Sequence, residues 1–113
     1  MAKLERTLRG NFDQILNDLD TAVMNGSFSA SYEDGSDFRL SSGARCAVRV
    51  YERYSFMGGN RVSLNLTLLG QENTCRLSAI TAGGSQALLF KINTIGEEAF
   101  LDTILDVVQK YGG

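Results

Sequence analysis

From Ser27 to Ile92 apolar and polar side chains alternate, and this run lies between two stretches whose apolar residues recur at helical spacing. That switch of period, from 3.6 to 2 and back, does most to narrow the folds open to the chain. Phe12, Ile15, Leu16, Leu19, Ala22 and Val23 form one helical stripe. Asn11 stands before it as an N-cap, with Gln14 three residues on, and Gly26 stands where a left-handed C-cap belongs. A second stripe, Phe100, Leu101, Ile104, Leu105, Val108 and Tyr111, follows Thr94, whose capping-box partner would be Glu97. Ahead of the first helix, Lys3 to Arg9 has strand character.

Turn residues divide the alternating region into short strands. Glu33-Asp34-Gly35-Ser36 carries a hairpin signal between Phe28–Tyr32 and Phe38–Leu40. Ser41-Ser42-Gly43 precedes a long strand, Ala44 to Phe56, and Met57-Gly58-Gly59-Asn60 follows it. Then come Arg61 to Leu69, Thr74 to Ala82 and, after Gly83-Gly84, Ser85 to Ile92. Short turns imply antiparallel neighbours, and one apolar face per strand implies a two-layer protein. The expected fold is a single α+β domain over residues 1–113. It has an antiparallel sheet of about six or seven strands and two amphipathic helices, one near the N-terminus and one at the C-terminus, packed on one face, in the order β-α-β(5-6)-α.

Composition excludes several classes. With 43% hydrophobic and 21% charged residues in 113, the chain can bury a core and is not a disordered segment. No apolar run reaches the roughly 18 residues of a membrane span, and Met1 to Arg9 lacks the pattern of a signal peptide, so no membrane is expected and the expected address is the cytoplasm. Cys46 and Cys75 each fall within an alternating strand pattern and are expected as buried, reduced core residues. The chain has no His, which removes the usual general base and the commonest metal ligand. The Gly-rich pairs open no helix, so they do not form a phosphate loop. No catalytic residue, metal site or cofactor is expected.

Two binding readings remain. In the first, an apolar pocket lies between the sheet and the C-terminal helix, lined by Leu66, Phe90, Phe100, Ile104 and Val108; the same residues would serve equally as plain core. In the second, the chain is a protein-interaction or homo-oligomeric domain that uses the basic outer sheet face or an edge strand. Both helical segments are net acidic and the strand region is net basic. If Cys46, Val48 and Val50 point to the helices, then Arg45, Arg49, Tyr51 and Arg53 share the outer face, continued by Arg61, Ser63, Asn65 and Thr67. Arginine forks suit an anionic ligand, an acidic partner or a second copy of the chain. Ordinary solvation of that face is the simpler account. A single tyrosine and net acidity argue against nucleic acid.

The stretches CAVRVYERYSFMGGNRVSLNLTLLG and LSAITAGGSQALLFKINTIGEEAFLD, with LERTLRGNFD near the start, resemble a family of short bacterial proteins of about this length without an assigned function. The resemblance implies a bacterial cytosolic setting and one domain, and carries over no site residues. The element order is also similar to that of the helix-grip folds, in which a sheet curls around the last helix; this chain is short for that fold, and fold likeness does not fix function.

Overall fold

A computed structural model describes residues 1–54, 61–83 and 97–112 of the chain. Its strands are β1 (Ala2–Arg9), β2 (Ser31–Arg39), β3 (Arg45–Tyr54), β4 (Arg61–Gln71) and β5 (Thr74–Gly83). Helix α1 is Phe12–Asn25; residues 97–102 are helical (α2); and α3 is Leu105–Gly112. The five strands form one antiparallel sheet in the order β1-β5-β4-β3-β2. No helix among the described residues is long and apolar enough to cross a membrane.

Local chemistry explains the first helix. Asn11 has extended backbone angles and its Oδ1 accepts from the Gln14 amide at 2.9 Å, as the capping pattern predicts. Phe12, Ile15, Leu19 and Val23 are buried against the sheet. Gly26 ends the helix but at φ −77°, not in the left-handed region. Glycine is needed there for space: a Cβ would stand 2.7 Å from Cγ2 of Thr103.

Among the described residues the sheet has five strands, and one departure from the expected spacing has an identifiable reason. The two strands expected on either side of Asp34-Gly35 are one strand, β2, which runs straight through the hairpin signal with a bulge between Tyr32 and Asp34. Gly35 serves close approach instead of a turn. A Cβ there would meet the Tyr32 hydroxyl, stand 2.7 Å from the Val48 carbonyl and 3.1 Å from Cδ of Arg49, so the arginine stem crosses β2 where glycine leaves room. The chain reverses after Leu40, where Gly43 adopts φ +93° and donates its amide to the Leu40 carbonyl at 3.0 Å. The expected strand Ser85–Ile92, the Met57–Asn60 turn, Phe90 and Thr94 lie outside the described residues.

The C-terminal helical stripe is likewise split. Thr103 turns its hydroxyl back to the Phe100 carbonyl at 2.8 Å, and the amides of Thr103 and Ile104 bond three residues back, tightening the chain between α2 and α3. Glu97, expected to cap a helix with Thr94, is buried and pairs with the α-amino group of Met1.

One buried cluster joins the layers: Leu8 from β1; Ile15, Leu19 and Val23 from α1; Leu64, Leu66 and Leu68 from β4; Leu77 and Ala79 from β5; and Phe100, Ile104 and Val108 from the C-terminal helices. α1 lies over the middle of the sheet and α3 against β1. The helices therefore cover the sheet from β1 to β3 and leave the inner side of the edge strand β2 beside α1.

Candidate functional site

Antiparallel partners point to the same side of a sheet, so β4 fixes the orientation of β3. Leu64, Leu66 and Leu68 face the core, and their partners are Tyr51, Arg49 and Ala47. This corrects the orientation expected from hydrophobicity. Arg45, Arg49, Tyr51 and Arg53 point toward the helices, while Cys46, Val48 and Val50 lie on the outer face, each of them half-buried. Ala47 and Tyr51 are the residues of β3 that are fully buried. Arg61 is on the outer face, where its Nε donates to Glu52 at 2.6 Å.

Each inward arginine keeps its stem on apolar surface and its head with a partner, which is how such a face can belong to a core. Arg45 stacks on the Phe12 ring, 4.3 Å from its centroid, and makes a two-pronged pair with Asp13 of α1 at 2.8 and 3.0 Å. Arg53 lies 4.6 Å from the Phe100 ring centroid, and burial lowers its pKa. Arg49 donates to the carbonyls of Val48 and Ser36, at 2.9 and 3.3 Å, and to Asp37 at 2.9 Å.

Tyr51 is wholly buried and donates its hydroxyl to Asp20 Oδ1 of α1 at 2.7 Å. Burial, reinforced by the hydrogen bond and charge of Asp20, pushes the phenol far above its ordinary value. It therefore keeps its proton and acts as a fixed neutral donor. The Tyr32 ring meets Tyr51 edge-on, with centroids 5.8 Å apart.

These groups border a groove between α1 and β2–β3. Its volume is about 470 Å³, and it is lined by Asp13, Leu16, Asn17, Asp20 and Met24 from the helix and by Tyr32 and Arg49 from the sheet. Leu16, Asp20 and Met24 follow at four-residue intervals, so an apolar side chain flanks the carboxylate on each side. Asp13 is tied to Arg45 and Arg49 to Asp37. Asp20 has only the neutral Tyr51 as a hydrogen-bond partner among the described residues and is in no ion pair there. The groove thus presents one carboxylate without a counter-ion, apolar walls and an aromatic ring.

The other expected pocket residues have a different place. Leu66, Phe100, Ile104 and Val108 belong to the packed core cluster, and none lines this groove. Two smaller hollows lie elsewhere: one of about 320 Å³ between α1 and α3, where Lys110 offsets the charge of Asp18, and one of about 270 Å³ near the β4–β5 turn. Asp20, Tyr32 and Met24 were not legible as a site; what pointed to Asp20 was the acidity of α1 beside a basic strand region.

Across the helices, Tyr111 donates to Asp18, and Lys110 Nζ lies 3.4 Å from the same carboxylate. The Tyr111 hydrogen bond holds Asp18 below its ordinary value of 3.8, and the Arg45 hydrogen bond does the same for Asp13. A depressed folded value stabilises the fold above the unfolded pKa, and that contribution is lost as pH falls through the folded values. Thermal unfolding followed by circular dichroism should therefore show the midpoint falling as pH drops below about 4. Asp18→Asn should show a shallower fall.

The described residues thus form a five-stranded antiparallel sheet with helices on one side and a polar groove beside strand β2. Residues 1–112 match the family of unknown function DUF6054, and the chain belongs to that family. No curated protein matches the sequence.

Proposed function

We propose that the chain is a small non-enzymatic binding module whose ligand occupies the groove between α1 and β2–β3. The observation that carries this reading is Asp20. It is a carboxylate held in place by a buried tyrosine, set between Leu16 and Met24 and across from the Tyr32 ring. Carboxylate, aromatic face and apolar walls together suit a ligand with a cationic or N–H-donating head on an apolar body. Tyr51 retains its proton and the chain has no histidine, and Asp20, accepting from Tyr51, is the carboxylate that holds the ligand. Free thiols at Cys46 and Cys75 suit the bacterial cytosol as the setting.

Titration of the labelled protein with 2-phenylethylammonium and, separately, with phenylacetate tests this by amide chemical shifts. The cation should perturb Leu16, Asp20, Met24 and Tyr32, and the anion should not. Asp20→Asn, which can still accept from Tyr51, should weaken the cation by about tenfold. Equal binding of both probes, or perturbations centred elsewhere, would overturn the assignment.

A further inference from the structure

The outer face of the sheet carries a pattern that the groove does not explain. One row of side chains crosses all five strands there, and register fixes its order: Lys3, Ile80, Asn65, Val50, Asp34. It reads cation, apolar, amide, apolar, anion, with β4 at its centre. The adjacent positions toward the middle of the face are Val48, Thr67 and Ser78, all without charge. Beyond them Phe38, Cys46 and Leu69 stand in one row, Phe38 61% and Leu69 51% exposed, and the row ends in Arg76, which donates to Thr7 of the edge strand β1 at 2.8 Å. The charged residues of the face, among them Arg76, Glu52, Arg61 and Glu5, lie toward its rim. An uncharged centre inside a charged rim is the composition of an interface core, not of an ordinary solvated sheet.

We infer that this face is the dimer interface of the protein, packing against the same face of a second copy. The order of the row is what selects a copy of the chain as the partner. A two-fold axis between the faces, running along β4, exchanges β3 with β5 and β1 with β2. Asp34 then stands over Lys3 of the other copy, Val50 over Ile80, and Asn65 over Asn65, whose carboxamides can donate to and accept from each other. By symmetry the ion pair forms twice, once at each edge. Two sheets stacked with aligned strands pack about 10 Å apart with their strand directions within about 30°. Five strands spaced about 4.8 Å apart, eight or more residues long at about 3.3 Å each, give a face of roughly 24 by 27 Å. That approaches the ~800 Å² per partner of a standard interface. The three described helices, and the groove beside α1, remain on the outside of such a dimer.

Sedimentation velocity over a range of concentrations, on the full chain, tests the inference. The wild-type protein should be dimeric at high concentration and dissociate on dilution. Val50→Lys, at the centre of the apolar pair, should raise the dimer dissociation constant by at least about tenfold while far-UV circular dichroism stays unchanged. Asp34→Lys and Lys3→Asp should each weaken the dimer, and the two together should restore it, which a merely structural effect of either residue would not do. A wild-type chain that stays monomeric at about 1 mM would overturn the inference. So would a dimer insensitive to Val50→Lys, or a charge exchange that fails to restore association.

Discussion

Phe100→Ala is expected to remove about 3–5 kcal/mol of stability, a large share of the 5–15 kcal/mol that holds a domain of this size. The side chain is fully buried, and it is the largest that the C-terminal helices place in the core. Its loss leaves a cavity where α2 meets β3, and it strips the guanidinium of Arg53 of the ring on which it rests. Ile104→Ala, also fully buried, should cost about 2–5 kcal/mol for the cavity alone. Urea unfolding measures both. A loss below about 1 kcal/mol for Phe100→Ala would mean that the C-terminal helices are peripheral to the fold.

The second large effect concerns the orientation of β3. Ala47 is buried opposite Leu68, and its neighbour Val48 lies on the outer face. Ala47→Glu forces a carboxylate among leucines and should cost at least about 3 kcal/mol or prevent folding. Val48→Glu adds the same group one residue along and should stay within about 1 kcal/mol in dilute solution. Equal costs at the two positions would show that β3 does not present one face to the core and the other to solvent. The contrast is steep because side chains on a strand alternate, so a single residue step moves a group from one environment to the other.

The helices and most strands could be read from the chain because their signals are local. The Asn11 cap, the Phe12–Val23 stripe and the clean alternation of Val62, Leu64, Leu66 and Leu68 are where periodicity places them. What failed was the reading of β3, where hydrophobicity favours Cys46, Val48 and Val50 as the inner face. The structure turns Arg45, Arg49, Tyr51 and Arg53 inward because the helices supply what those side chains need: Phe12 and Asp13 for Arg45, Asp20 for Tyr51, and Phe100 for Arg53. These partners are 31 to 47 residues away in the chain, so no local pattern reports them. A global one did: acidic helices beside basic strands. Charge segregation of that kind argues that cations face the helical layer, and here it outweighs the apolar count of one strand. The Asp34-Gly35 hairpin signal failed for a similar reason. Glycine was required by the Arg49 stem crossing β2, a contact between strands.

The groove follows from that orientation, since Tyr51 reaches Asp20 and Arg49 reaches the groove only if β3 turns this face to α1. The two cysteines report it directly, because Cys46 lies on the outer face of β3 and Cys75 is buried in the core, where burial pushes its thiol up. Native protein, dilute enough to be monomeric, would be pulsed with a thiol reagent and the labelled peptides identified by mass spectrometry. The orientation described here predicts rapid labelling of Cys46 and labelling of Cys75 only when the chain unfolds. Protection of Cys46 in the monomer together with Cys75 would contradict it, and would return the arginines and Tyr51 to the outer face.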